Sequence, residues 1–255
     1  NVMQGDIIER YQKWCRSVKH FEFNGWCLGG VGVNLTNLVS AIAVFIDEID
    51  LFDKNIHLVH SLGTSKIIEF IVLSQFQKSL IDIGSSIQVT TDSSSPNNAS
   101  RFGTYYTHGD LKDTSFKQIH IPKAKLGGSY ALTPGIGGLP KTASCDEWLS
   151  DCYTWDDLES YSNDLNVVMV LHGYGVFMDV KRIIDELIYG HPYLRDQMLS
   201  PDSINMINII NEMVTESLNG TPATKTYAKY SQVISAVSYR NDKNQLSIQR
   251  NSDFF

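Results

Sequence analysis

Hydrophobic residues in the first hundred positions recur at two alternating spacings. Short apolar or β-branched runs, typical of strands, are each followed by a longer stretch with apolar residues three or four positions apart, typical of helices. The pattern predicts strands at 2–5, 25–31, 57–64 and 87–91, and helices at 7–21, 35–49 and 65–80. Strands that alternate with helices in this way predict an α/β fold with a parallel sheet or barrel.

The second half of the chain carries a weaker pattern. The Gly/Pro-rich stretch 127–140 indicates a surface connection, and Leu165–Leu171 is either a strand or the start of a buried helix. Val176–Ile188 is amphipathic. Ser200 and Pro201 have the residue types of an N-cap and a first helical position, so a helix is expected to start there and to end before Gly220.

The final stretch, from Thr221, is polar and locally basic. It holds five Lys or Arg residues against two Asp, together with three tyrosines. We expect a solvated, partly ordered tail; the alternative is a basic, tyrosine-bearing strand region that follows a nucleic-acid backbone. The predicted divisions of the chain are therefore 1–118, 119–220 and 221–255.

One carboxylate, Asp92, directly follows the predicted strand 87–91 and precedes a polar turn. In βα barrels the side chains at the carboxyl ends of the strands converge and carry the chemistry. A carboxylate placed there can attack an anomeric carbon and form a covalent glycosyl intermediate. An Asx turn or cap is the alternative for a single Asp in this position.

Four motifs occur in a distinctive order, separated by the predicted helices. They are Gln4-Gly5, Leu28-Gly29-Gly30-Val31, His60-Ser61-Leu62-Gly63-Thr64, and Asp92 with Pro96, Arg101 and Gly103. In this order the chain resembles the tRNA-guanine transglycosylases and their relatives, including the phage and bacterial enzymes that place 7-deazaguanines in DNA. The resemblance covers roughly the first 110 residues.

The resemblance implies a role for each matching residue. Asp92 would be the nucleophile that attacks C1′ of a guanosine, and Gln4 would read the base edge. Gly29, Gly30 and Val31 would bring the backbone close to the base, although paired glycines also suit a tight turn. His60 and Ser61 would line the base pocket, where the family usually has Met and Gly. Arg101 would contact a phosphate.

The resemblance also implies that the chain is the C-terminal half of a TIM (β/α)8 barrel with an appended α-rich region. Gln4 corresponds to a strand in the middle of the family barrel, and the family's Asp-Ser-Gly-Gly-Phe motif, with its general acid/base, does not occur. Four strands leave two open edges and an uncovered face. A partner is therefore expected: an N-terminal half protein, a second copy, or the chain's own residues 120–200.

The family's structural zinc motif aligns with residues 150–155 and His172 in degenerate form. Ser150 and Trp155 replace two cysteines, which leaves Cys152 and His172. Cys145 is a candidate for the third ligand and Asp146 or Asp151 for the fourth. Structural zinc normally has four nitrogen or sulfur ligands. The alternative to this zinc site is a zinc-free relic in which Trp155 fills the vacated volume.

Composition narrows the class of protein. A hydrophobic content of 42% suffices for one or two cores, and the net charge of −7 neither indicates nor excludes nucleic-acid binding. Four cysteines without paired spacing predict a reducing, cytoplasmic location, in the host if the chain is phage-encoded. No apolar run approaches the roughly 18 residues of a membrane span, so no membrane partner is expected.

The resemblance implies an enzyme that exchanges guanine for a 7-deazaguanine base in nucleic acid through an Asp92 glycosyl intermediate. The base would be flipped out of its stack. The eroded zinc motif favours DNA slightly over tRNA. The alternative is a non-catalytic subunit that serves dimerisation or nucleic-acid positioning. A sugar hydrolase would need a second carboxylate near Asp92, and neither Asp82 nor Asp110 is an obvious partner.

Overall fold

A computed structural model describes residues 1–30, 34–101, 104–120 and 162–252. The strands in these ranges are β1 (Val2–Met3), β2 (Gly25–Leu28), β3 (Leu58–Ser61), β4 (Gln88–Thr91), β5 (Thr104–Asp110) and β6 (Ser115–His120). The helices are α1 (Ile8–Val18), α2 (Leu35–Glu48), α3 (Ile67–Asp82), α4 (Ser95–Arg101), α5 (Ser162–Tyr189), α6 (Pro192–Met198), α7 (Pro201–Leu218) and α8 (Ala223–Ser252).

The chain forms two compact units. The first joins Asn1–Ser93 to Ile184–Lys243, and the second joins Ser94–Ile183 to Asn244–Phe255. The first unit therefore combines the predicted βα region with C-terminal helices that the sequence analysis assigns to separate regions. None of the described helices is both long and apolar enough to cross a membrane.

The first unit contains a four-stranded sheet in which every pair of neighbours is parallel and the strands stand in the order β1-β2-β3-β4. One helix connects each strand to the next. The predicted α/β class and parallel sheet are thereby confirmed. The register pairs Cys27 with His60 and His60 with Thr90, which aligns the strands at their carboxyl ends.

The two faces of this sheet differ in burial. Trp26, Leu28 and Val59 belong to the core that α1, α2 and α3 cover. The opposite face, which we term the open face, carries side chains that are half-buried or exposed; these are Cys27, Leu58, His60, Gln88 and Thr90. Successive side chains on a strand point to opposite faces, so this difference follows from the alternation along β2 and β3.

Helices α2 and α3 are apolar around most of their circumference because other elements cover them on two sides. One side of each helix faces the sheet, and the core continues on the other side into α7 and α8. From α7 it takes Met206, Ile210 and Met213, and from α8 it takes Ile234 and Val237.

The predicted helix after Ser200 is confirmed. Pro201 begins α7, and the hydroxyl of Ser200 accepts a 3.1 Å hydrogen bond from the backbone N–H of Ser203. This satisfies one of the N–H groups that a helix N-terminus leaves without an intrahelical partner.

The C-terminal segment differs from the tail that its composition predicts. Residues Ala223–Ser252 form α8, whose Ala223, Ile234 and Val237 are buried. Tyr227 and Tyr230 pack against the same core. These five positions follow one another at intervals of three or four, which is the helical period. The composition concealed this period because polar residues fill most of the positions between them.

The described part of the second unit contains α4, a hairpin of β5 and β6, and α5 as far as Ile183. The hairpin is antiparallel. The ring of Phe177, on α5, stacks on Phe116 at 4.2 Å and meets Tyr106 at 5.0 Å. Residues 165–171 belong to α5, so the helical alternative is the correct one for them. The predicted surface connection at 127–140 lies outside the described residues.

Candidate functional site at the carboxyl edge of the parallel sheet

Asp92 lies directly after β4, at the carboxyl edge of the sheet, and 58% of its side chain is exposed. Its Oδ1 accepts a 2.7 Å hydrogen bond from the backbone N–H of Gly63. Gly63 has φ of +71°, in the left-handed region that favours glycine, and it belongs to the turn after β3. One carboxylate oxygen is therefore held by the neighbouring turn. Within the described residues, Oδ2 has no hydrogen-bond donor.

His60, on β3, is the side chain that stands beside this carboxylate. Its Nε2 lies 3.7 Å from Asp92 Oδ1, and its Nδ1 lies 2.8 Å from the hydroxyl oxygen of Thr90. His60 and Thr90 are register partners on adjacent strands, and Asp92 is two residues beyond Thr90. The strand alternation therefore places all three side chains on the open face.

Gln4 and Gly29 lie on the same edge as Asp92. The last paired residues of the four strands are Met3, Leu28, Ser61 and Thr91. The next residue of each strand follows at one level, and these are Gln4, Gly29, Leu62 and Asp92. Backbone hydrogen bonds continue across this level, from Gly29 N to Met3 O at 2.8 Å and from Leu62 N to Leu28 O at 3.2 Å. The structure thus places three of the predicted site residues in one row.

The two glycines after β2 have a packing reason. A Cβ at Gly29 would lie 2.9 Å from the carbonyl oxygen of Met3, and one at Gly30 would lie 2.6 Å from that of Gly5. Gly30 also has φ of +73°. The buried hydroxyl of Tyr11 donates to the carbonyl of Gly29 at 3.1 Å. This geometry is the tight turn that paired glycines suit, and their approach to a base stays a prediction.

Other predicted site residues lie apart from this row. Ser61 is on the opposite face of the sheet with 1% exposure, so its side chain and that of His60 point in opposite directions. Its carbonyl accepts a 3.1 Å hydrogen bond from the hydroxyl of Thr91. Arg101 is the last residue of α4, in the second unit. Val31 lies outside the described residues.

His172, the predicted distal zinc ligand, is fully buried on α5, and its Nε2 lies 2.8 Å from the carbonyl oxygen of Tyr106. Burial lowers the pKa of His172, and the bond to the carbonyl of Tyr106 opposes that shift. Cys145 and Cys152 lie outside the described residues. Within the residues that are described, no group of three or more His, Cys, Asp or Glu could hold a metal ion.

Gly63 and Thr90 belong to the site but were assigned no role from the sequence, although Gly63 stands in the third motif. Both were open to the same argument that selected Asp92, since Gly63 follows a strand and Thr90 shares the face of Asp92 by period-two alternation. A shallow groove beside the row was missed as well. It runs from the Gln4 end of the edge along α1 and is lined by Gln4, Gly5, Asp6, Arg10, Lys13, Trp14, Ser17 and Val18.

No protein-family model matches the chain, and a search of curated proteins finds no match either. The order of the motifs and the geometry of the carboxyl edge are therefore the features that bear on function. That geometry offers an exposed carboxylate with one oxygen held, an imidazole next to it, and an exposed amide, Gln4, at the other end of the row. These groups are suited to nucleophilic attack on an electrophilic carbon and to recognition of a polar ligand.

Proposed function

We propose that this protein exchanges a guanine base for a 7-deazaguanine in nucleic acid, with Asp92 as the nucleophile. The observation that carries the proposal is the row of Gln4, Gly29 and Asp92 at the carboxyl edge of a parallel sheet. This is the edge at which βα folds perform chemistry. The order of motifs that resembles the guanine transglycosylases supplies the substrate class.

The proposed reaction has two displacements. In the first, Asp92 Oδ2 forms a bond to C1′ of the nucleoside while the C1′–N9 bond breaks, and the electron pair leaves with the base, which takes up a proton. In the second, N9 of the incoming base attacks C1′, loses its proton, and releases the carboxylate. The covalent intermediate divides one difficult displacement into two easier ones. No step depends on a metal, and a zinc ion held by Cys145, Cys152 and His172 rests on the resemblance alone.

We further propose that a partner completes a (β/α)8 barrel by covering the open face. Cys27 and Leu58 expose apolar surface on that face, and Leu58 is 37% exposed. Among the described strands, β1 and β4 each have one neighbour, so two edges of backbone hydrogen-bonding groups are available for pairing. An N-terminal half protein or a second copy could supply the remaining strands and the general acid/base.

The test is nucleoside mass spectrometry of DNA and of tRNA after incubation with a labelled 7-deazaguanine base. The chain is assayed alone and together with the candidate N-terminal half protein. Label in DNA or tRNA would support base exchange and identify the nucleic acid. Label that requires the second protein would support a two-chain barrel.

Asp92→Asn should abolish incorporation because an amide cannot form the glycosyl ester. The matched control is Asp82→Asn. Asp82 is an exposed carboxylate at the end of α3 that pairs with Lys78, and the variant should retain incorporation. If Asp92→Asn incorporates as much label as the unmodified protein, Asp92 is not the nucleophile. If no combination incorporates label, the non-catalytic subunit becomes the better explanation.

A further inference from the structure

We infer that His60, oriented by Thr90, is a positioning residue that holds Asp92 Oδ1 and thereby makes Oδ2 the attacking oxygen. The inference rests on the proposed function and adds to it how the nucleophile is positioned. It does not follow from the resemblance, because the family usually has Met at the position of His60. A methionine side chain has no hydrogen to donate to a carboxylate.

The contacts of His60 determine which of its nitrogens carries the proton. A neutral imidazole has one N–H, and the other nitrogen presents a lone pair. Nε2 faces the carboxylate of Asp92 at 3.7 Å, and a lone pair there would be repelled by the negative charge. The N–H therefore lies on Nε2. Nδ1 is then the acceptor, and the hydroxyl of Thr90 donates to it across 2.8 Å.

The sheet itself fixes this arrangement. His60 and Thr90 stand opposite one another on adjacent parallel strands, so the backbone register brings the imidazole and the hydroxyl together. On β2, the register partner of His60 is Cys27. Its thiol is the other titratable side chain at this level of the sheet. A side chain held by strand backbone and by a cross-strand hydrogen bond is more precisely placed than one on a loop.

Two groups then face one oxygen of Asp92. The Gly63 N–H binds Oδ1 at 2.7 Å, and His60 approaches the same oxygen. In the proposed arrangement they restrain rotation of the carboxylate and leave Oδ2 as the oxygen that can reach C1′. The 3.7 Å separation is longer than a hydrogen bond, and such contacts often shorten only when substrate binds. His60 takes no part in either proton transfer, so the two displacements remain balanced as written above.

The first test measures formation of the covalent intermediate in a single turnover, by intact-protein mass spectrometry without the incoming base. His60→Met should slow this step about 10- to 100-fold, which is the range expected for a misplaced reacting group. The KM for nucleic acid should change less than about twofold, because the lost contact acts in the transition state. His60→Gln, whose amide can reach Asp92, should restore most of the rate. Gln88→Ser, on the same face, serves as the control and should leave the rate unchanged.

Thr90 supplies the second arm of the test. Thr90→Val removes the hydroxyl with little change in shape and should slow intermediate formation, whereas Thr90→Ser should restore it. In the His60→Met background, Thr90→Val should have no further effect, because the hydroxyl acts only through the imidazole. Equal effects of Thr90→Val in both backgrounds would overturn the inference.

Nitrogen-15 NMR of the histidine side chains gives a readout that does not need activity. The His60 ring should show a protonated Nε2 and an acceptor Nδ1, and Thr90→Val should change that pattern. A protonated Nδ1 in the unmodified protein would contradict the inference. The two proposals can fail separately: an inactive Asp92→Asn with an unimpaired His60→Met would overturn only the role of His60.

Discussion

Asp47 Oδ1 lies 2.6 Å from the backbone nitrogen of Ala223, so the end of α2 caps the start of α8. The same carboxylate accepts from the N–H of Thr224 at 3.1 Å and from its hydroxyl at 2.5 Å. A helix N-terminus has N–H groups without intrahelical partners and a partial positive charge, and a carboxylate satisfies both. Two segments 176 residues apart in the chain are thereby joined by one side chain.

Replacing Asp47 should therefore destabilise the first unit. We expect Asp47→Ala to lower the free energy of unfolding by about 1–2 kcal/mol, as loss of a helix cap does. Asp47→Asn should cost less because its amide oxygen still accepts a hydrogen bond. Urea denaturation measures both. The control is Asp50→Ala, which removes an exposed hydrogen bond from the backbone N–H of Phe52 to the Asp50 side chain. It should lower the free energy of unfolding less than Asp47→Ala does, and an equal loss would contradict the capping role.

Gly30 and Gly84 form a matched pair for a test of the turn after β2. Both have positive φ, +73° and +82°. An alanine at either position adopts a left-handed conformation that costs roughly 1–2 kcal/mol. At Gly30 the added Cβ also meets the Gly5 carbonyl at 2.6 Å, whereas at Gly84 it meets nothing within 4 Å. Gly30→Ala should therefore lower the thermal midpoint clearly more than Gly84→Ala; similar shifts would show that the turn opens without cost.

Glu69 should make stability fall as pH rises. Burial raises the pKa of this carboxyl above its ordinary value of 4.5, although Lys66 and the N–H groups of Ser65 and Lys66 oppose the shift. Folding thus favours the protonated form, and its contribution is lost as pH climbs from about 4.5 through the higher folded pKa. Glu69→Gln should remove this loss. The free energy of unfolding of the variant should therefore increase relative to that of the unmodified protein as pH rises. A constant difference across that range would refute the assignment.

Glu48 should act in the opposite direction. Burial alone would raise the pKa of Glu48, but hydrogen bonds from Arg16 at 2.7 Å and Lys19 at 2.9 Å lower it overall. Its stabilising contribution is therefore present above the ordinary value of 4.5 and disappears as pH falls through the lower folded pKa. Glu48→Gln should be less stable than the unmodified protein near neutral pH, and denaturation curves should converge as the solution is acidified. If the stabilities of the two proteins converged toward high pH instead, the result would contradict the stabilising role of the ion pairs that Glu48 forms with Arg16 and Lys19.

The sequence predicts the α/β alternation because strands and helices each bury one apolar face with its own period. It also predicts the start of α7, since Ser200 and Pro201 have the residue types of a cap and a first turn. Asp92 was found for a similar local reason: it stands where a strand ends. These features depend on neighbours within a few residues, which a sequence displays directly.

The remaining features depend on contacts between distant residues. Ser61 was predicted beside His60 in the pocket, but adjacent residues of a strand point to opposite faces. The extent to which α2 is buried depends on α7 and α8, which lie more than 150 residues later in the chain. The need for glycine at Gly29 depends on where the Met3 carbonyl lies in the neighbouring strand. None of these distances can be read from local spacing.

The first unit is built from two separate segments of the chain, and this has a consequence for its synthesis on the ribosome. The four parallel strands and α1 to α3 have been synthesised at Ser93, but the unit is complete only at Lys243. At about 5–20 residues per second, the intervening 150 residues take roughly 8–30 s to translate. During that interval the apolar outer sides of α2 and α3 lack the cover that α7 and α8 later provide. Nascent chains of this protein should therefore be unusually dependent on chaperones that bind exposed apolar helices until α7 and α8 emerge.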